Sequence, residues 1–355
     1  MSTDLQSVLL ERIASSGPLT VADYMAEALL HPDHGYYTTG APFGTAGDFT
    51  TAPEISQMFG ELLGLCLAQS WMDQGAPAAF TLAELGPGRG TLMADVLRAT
   101  ARVPGFLQAA NIVLVEVSPK LRKLQVQALD GHDATWVDSV ADLPDAPLWC
   151  VANEFFDALP IRQFVRDADG WRERCVGQLD TALSFGLSPQ SPQAQLDHRL
   201  DDTKDGDLVE ICPAAQAVLA DIAQRIDSHG GVGLIVDYGD WRSLGDTLQA
   251  VRDHTSVDVL DGPGTADLTA HVDFEALVAA ASPAAHTRLT PQGVFLERLG
   301  ITQRAQALAE TLEGDALKMH IAAHRRLTHP DEMGNLFKVL GLYPATAAPP
   351  PGLSA

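Results

Sequence analysis

The segment Glu84-Leu85-Gly86-Pro87-Gly88-Arg89-Gly90 combines an acid with three alternating glycines, a pattern suited to holding a ligand. Glycine permits a sharp backbone turn and lets a ligand approach where a side chain would block it. Pro87 removes one backbone donor, so the turn is a poor cradle for a pyrophosphate. The spacing also departs from G-x-G-x-x-G and from a glycine loop ending in Gly-Lys-Ser/Thr. A plain Gly-Pro turn is the alternative. A second acid, Glu116, closes the apolar run Asn111-Ile112-Val113-Leu114-Val115. In nucleotide-binding α/β folds such an acid accepts hydrogen bonds from ribose hydroxyls. It lies 26 residues beyond Gly90 (116 − 90), and the Val103-Pro104-Gly105 loop can absorb the extra length. A strand-end acid facing solvent is the competing reading.

Positioning these residues requires alternating strands and helices. Phe80–Leu85 reads as a buried strand, and Leu92, Met93, Val96 and Leu97 give the following segment, Thr91 to Arg102, a helical face. Asn111–Val117 reads as a strand buried on both faces, as in a parallel sheet. A helix over Pro119–Leu129, a short strand Thr135–Val137 ending at Asp138, and a strand Leu148–Ala152 ending at Asn153 follow. Gly230–Gly239 supplies a fifth strand. Ligands of open α/β sheets bind outside the carboxyl ends of the strands. Gly86–Gly90, Glu116, Asp138 and Asn153–Asp157 therefore converge on one rim.

Outside this frame, residues 4–14 and 20–30 read as amphipathic helices, broken by His31-Pro32-Asp33-His34-Gly35. The two histidines there do not form a metal pair, because Pro and Gly spoil the helix that would align them. A long loop runs from Tyr36 to Ser56, its aromatics argue for order, and residues 36–54 are expected to form a lid over the cofactor or substrate mouth. The helix from Ile55 to Trp71 should turn Met58, Phe59, Leu62, Leu63 and Leu65 inward. Residues 161–207 read as an antiparallel meander followed by an exposed polar loop from Ser188 to Asp207, and a second insertion holds Gly262-Pro263-Gly264. Helical segments fill 301–328 between two last strands near 286–297 and 335–341.

A net charge of −23 disfavours phosphate backbones and favours cationic partners. Four scattered cysteines offer neither a zinc site nor a disulfide framework. No apolar run approaches membrane-spanning length, and residues 1–20 resemble neither a signal nor a transit peptide, so a bacterial-type cytoplasmic protein with no membrane partner is expected.

The acid-x-G-x-G-x-G pattern resembles motif I of class I S-adenosylmethionine (AdoMet) methyltransferases, and the resemblance extends further. Gly47–Ser56, Val115–Pro119, Asn153–Pro160, Val236–Gly239, Asp267–Phe274 and Met333–Leu340 occur in the order seen in the MidA-like methyltransferases, which include the mitochondrial complex I assembly methyltransferase. The likeness covers about residues 5 to 342 but not the stretch 188–207. It implies a Rossmann-like α/β fold with a seven-stranded, mostly parallel sheet whose last strand is antiparallel. The chain is expected to hold N-terminal helices and a lid loop over 1–60, a core over 61–345 with insertions at about 161–207, 240–270 and 301–332, and a tail over 346–355 that Pro349–Pro351 mark as disordered. AdoMet is the implied cofactor and S-adenosylhomocysteine its product. Cofactor contacts are expected from Glu84 (at the methionine end), Gly86, Gly88, Gly90, Glu116, Asp138 and Asn153, and from Phe49, Thr50 and Glu54 of the loop.

The implied activity is protein arginine methylation, giving symmetric dimethylarginine on a respiratory-complex or other protein. Glu154 and Asp157 are the catalytic candidates, because carboxylates hold a planar guanidinium through paired hydrogen bonds. A helix N-terminus with favourable acids is the competing reading of the same pair. The partner is then a basic, Arg-bearing protein segment rather than nucleic acid. The alternatives are a non-catalytic AdoMet-binding assembly factor and a small-molecule or nucleic-acid methyltransferase.

Overall fold

A computed structural model of the chain describes residues 4–39 and 51–355. The chain divides into two compact units: one takes Met1–Phe49, Asp157–Ala215 and Asp240–Ala276, the other Thr50–Phe156, Gln216–Gly239 and Leu277–Ala355.

The second unit is built on a large sheet. Seven of its strands lie in the order Ala285–His286, Phe337–Tyr343, Gly231–Asp240, Leu148–Asn153, Phe80–Leu85, Ala110–Val115, Ala134–Val137. The five from Gly231–Asp240 to Ala134–Val137 pair in parallel, and Phe337–Tyr343 is antiparallel to Gly231–Asp240. Phe80–Leu85 and Leu148–Asn153 are buried at every position, which explains their mostly apolar character. This is the expected class I arrangement. The core gathers Phe59, Leu63, Leu82, Val96, Phe106, Trp149, Leu234, Phe295 and Val339.

The helix that follows the glycine turn, Thr91–Thr100, packs tightly on Gln57–Asp73. A Cβ on Gly60 would lie 2.6 Å from Asp95 Cβ, and one on Gly64 would lie 3.0 Å from Val96 Cα. Two glycines one turn apart thus let the backbones approach. A charged cluster secures the same crossing: Glu61, 5% exposed, receives Arg98 at 2.6 Å and Arg304 at 2.7 Å. Burial pushes the Glu61 carboxyl up, but the two guanidinium groups outweigh it and the net shift is downward.

The first unit pairs two helices, Leu5–Ser16 and Val21–Leu30, with antiparallel strands. One sheet runs Leu19–Thr20, Gly170–Leu179, Arg162–Asp167, Leu208–Ile211, with Ala182–Leu187 also on Gly170–Leu179; another joins Thr255–Val257, Gln249–Arg252 and Asp267–Thr269. Leu9, Met25, Val176, Ala250 and Leu268 share one core.

Four expectations change. Leu65 is 45% exposed, because the buried stripe of its helix runs through 58/59, 62/63 and 66/67 instead. The stretch 286–297 keeps only Ala285–His286 and Thr290–Pro291 as strand, and Gln292–Arg298 is helical with Gln292, Phe295 and Leu296 buried at helix spacing. The polar stretch 188–207 contains a 3-10 turn, Ala194–Arg199, that buries Leu196 and Arg199. Arg199 is held there by Asp202 at 3.1 Å and by the Ser243 carbonyl at 2.8 Å. The tail is tied down rather than disordered: Arg288 N–H donates to the Ser354 carbonyl at 2.8 Å, and Leu353 packs on the core.

Candidate active site

The glycine turn connects Phe80–Leu85 to Thr91–Thr100. Gly86, Gly88 and Gly90 have φ of +61°, +52° and +85°, the left-handed region that favours glycine. Gly86 N–H donates to the Val115 carbonyl at 3.1 Å, which fastens the turn to the neighbouring strand. A Cβ on Gly86 would meet the Phe155 ring at 2.9 Å, so the missing side chain admits Phe155.

Glu84 is 3% exposed, and its Oε2 has no hydrogen-bond partner among the described residues. Burial pushes its carboxyl up to about 8; a Met93 backbone hydrogen bond opposes this and the nearby Glu116 charge adds to it. Met93 lies in the first turn of Thr91–Thr100, so Glu84 also caps that helix. Glu54 stands at the same end: Thr91 Oγ1 donates to its Oε1 at 2.6 Å, and Arg89 lies 3.7 Å from its Oε2.

Glu116 follows the Ala110–Val115 strand and is 7% exposed. Its Oε1 accepts the Ser118 N–H at 2.8 Å and its Oε2 accepts Gln125 Nε2 at 3.1 Å. Burial raises its carboxyl, against the pull of those donors. With the Val117 backbone as a third donor, the carboxylate still keeps a lone pair that a ribose hydroxyl can use. Asp138 closes the adjacent strand and is largely solvent-exposed; Arg122 links it at 2.6 Å to the Glu116 backbone, whose carbonyl takes the Arg122 Nε at 2.7 Å.

At the end of Leu148–Asn153, Asn153 Nδ2 and the Ala52 N–H both donate to Glu154 Oε1, at 3.0 and 3.2 Å. Asn153 Oδ1 is buried and has no partner among the described residues. Glu154 adopts φ +52°, a costly backbone for a residue with a side chain. Asp237 steadies the next step of the chain, accepting the Phe156 N–H at 3.0 Å and the Tyr238 N–H at 2.9 Å.

One unit therefore brings Glu54, Glu84, Gly86, Gly88, Gly90, Glu116, Asp138, Asn153 and Glu154 to the carboxyl ends of its strands and the segments beside them. Asp157 belongs to the other unit. It is 5% exposed there, and its carbonyl accepts the Ala270 N–H at 2.9 Å. Tyr37 donates to Asp267 Oδ1 at 2.7 Å in that unit, and burial, then the charges of Asp267 and Asp157, push the Tyr37 phenol up. Phe49 and Thr50 lie outside the described residues, as does most of the expected lid. Among the described residues no group of His, Cys, Asp and Glu could hold a metal ion, and no helix is long and apolar enough to cross a membrane.

Sequence reading overlooked Gln125, Asp237 and Thr91 as parts of the site. Asp237 carried a signal, an acid closing the apolar run Gly231–Val236, whereas Gln125 lies mid-helix with nothing to mark it.

A family of S-adenosyl-L-methionine-dependent methyltransferases matches residues 62–293. The chain is 39% identical to "Protein arginine methyltransferase NDUFAF7, mitochondrial" of Xenopus laevis, covering 95% of this chain and 83% of that protein. It is 37% identical to the Homo sapiens protein of the same name (95% and 82%) and 35% identical to the Drosophila melanogaster homolog (97% and 86%). A Burkholderia thailandensis protein solved bound to S-adenosyl-homocysteine is 31% identical, with a TM-score of 0.83 over 96% of this chain and 91% of that one. The chain belongs to the S-adenosyl-L-methionine-dependent methyltransferases.

For such a methyltransferase the residues fit the cofactor. Glu84 offers a buried carboxylate oxygen to a cationic group, Glu116 offers a lone pair to a hydroxyl, and Asn153 Oδ1 is a further buried acceptor. The expected cytoplasmic placement is corrected by the relatives, whose names assign them to mitochondria.

Glu84 makes the stability of this methyltransferase depend on pH. Its folded-state value of about 8 lies above the ordinary carboxylate range, so the folded chain holds a proton that the unfolded chain has released. The stability it contributes is complete below about pH 4.5 and is lost as pH rises through 8. Without cofactor, Glu84→Gln should match the parent near pH 5 and exceed its Tm by roughly 5 °C near pH 8.5. Calorimetric melting at both pH values tests this, and a constant difference would place the proton elsewhere.

Proposed function

We propose that this methyltransferase methylates the guanidinium of arginine in a protein substrate and forms symmetric dimethylarginine. The observation that carries the reading is the 35–39% identity to protein arginine methyltransferases over 95% or more of the chain. When bound, AdoMet supplies the activated methyl group: its S–CH3 bond breaks as the N–CH3 bond forms, and the nitrogen gives up a proton.

The residues supply position and charge. Glu84 takes the ammonium of the cofactor's methionine end, Glu116 takes a ribose hydroxyl, and Asp138, Asn153 and Glu54 complete the rim. The three glycines let the turn adopt its left-handed backbone beside the rim. Glu154 addresses the substrate; a carboxylate orients a guanidinium and favours its reacting nitrogen. Glu154 suits that task because Asn153 and Ala52 fix its carboxylate on one oxygen before substrate arrives. The net charge of −23 favours a basic substrate segment over a nucleic acid.

The test supplies radiolabelled AdoMet and the purified chain to lysate from cells lacking it. Label in a protein band that yields symmetric dimethylarginine on hydrolysis is the expected result. Label in RNA or in small molecules would overturn the substrate class, and no transfer from bound AdoMet would mark a non-catalytic protein.

A further inference from the structure

Gln125 stands in the middle of the Pro119–Ala128 helix, fully buried at 0% exposure. Its amide touches three elements of the rim. Nε2 donates to the Gly88 carbonyl at 2.7 Å and to Glu116 Oε2 at 3.1 Å, while Oε1 accepts the Trp136 indole N–H at 2.8 Å. Two acceptors on the nitrogen and a donor on the oxygen leave the amide one orientation, since the flipped form would break all three bonds. Gly90 presses on the same residue, where a Cβ would lie 3.3 Å from Gln125 Cα.

We propose that Gln125 is a positioning residue for the cofactor: one side-chain amide locks the glycine turn at Gly88 to the carboxylate of Glu116. The physical case is that a buried glutamine costs free energy unless every polar atom is paired, and here it is paired only to parts of the rim. Trp136, on the Ala134–Val137 strand, fixes the amide, and the amide fixes the other two. The Gly88 carbonyl is thereby turned into the protein, and one Glu116 oxygen is set for the next hydrogen bond it receives. The inference rests on the proposed role of Glu116 toward ribose.

The experiment measures binding of S-adenosylhomocysteine and its 2′-deoxy analogue by calorimetry. It uses the intact parent and the variants Gln125→Met, Trp136→Phe and Glu116→Gln. The parent should prefer the ribose ligand by about 10-fold or more, the scale of one hydrogen bond to a charged group. Gln125→Met keeps chain length and removes the amide, and should shrink that preference to about 3-fold or less. Its KM for AdoMet should rise about 10-fold with kcat at saturation nearly unchanged.

Trp136→Phe removes only the donor that orients the amide and should give an intermediate preference; it also serves if Gln125→Met does not fold. A parent-like preference in Gln125→Met or in Trp136→Phe, beside a narrowed one in Glu116→Gln, would overturn the positioning role alone. A parent-like preference in Glu116→Gln would overturn the ribose reading and the positioning role with it. A purely structural Gln125 would lower Tm and leave the preference unmoved.

Discussion

Gly88→Val should weaken AdoMet binding by about 100-fold, measured by calorimetry on folded protein. Gly88 has φ +52°, and a β-branched residue there is strained by about 1–3 kcal/mol. The turn can relieve that strain only by rotating, which pulls the Gly88 carbonyl off Gln125 and disturbs Glu116. The valine methyls also occupy space that the glycine leaves to the ligand. Melting should change much less than binding, because the turn lies beside the core strands rather than within them. Parent-like affinity in this variant would detach the glycine turn from cofactor binding.

Glu154→Gln should lower methyl transfer by about 100-fold or more while AdoMet affinity stays within a few-fold, the scale of losing one well-placed electrostatic group. Glutamine keeps an Oε1 that can accept the Ala52 N–H, so the anchor to that segment survives and the lost charge is isolated. Steady-state rates with a methyl-accepting protein, beside a binding titration, separate the two. Equal losses in both would assign Glu154 to the cofactor, and full activity would return it to a purely structural role.

Much of this was legible in the residues. The parallel strands declared themselves because burial on both faces demands largely apolar runs, so Phe80–Leu85 and Ala110–Val115 begin and end close to where expected. The glycine turn declared itself because few other residues tolerate its backbone. The side-chain bridges did not. Gln125 is polar on a helix, which ordinarily signals solvent, and only the tertiary placement of Gly88, Glu116 and Trp136 shows why it is buried. Nor could spacing show that Glu154 and Asp157, three residues apart, fall in different units, since a chain crossing leaves no periodicity behind. The tail was misread because three prolines suggest disorder, while Leu353 and the Ser354 carbonyl supply long-range anchors.

A calorimetric titration of the intact chain with AdoMet, repeated with NAD, tests most directly whether this rim binds AdoMet. Saturable, one-to-one binding of AdoMet and none of NAD is expected, because the acid-x-G-x-G-x-G turn offers no pyrophosphate cradle. Near pH 7 that binding should release protons, as Glu84 gives up the proton that burial lets it keep up to about pH 8. Binding of NAD in preference to AdoMet, or no binding of AdoMet at all, would contradict that reading of the rim.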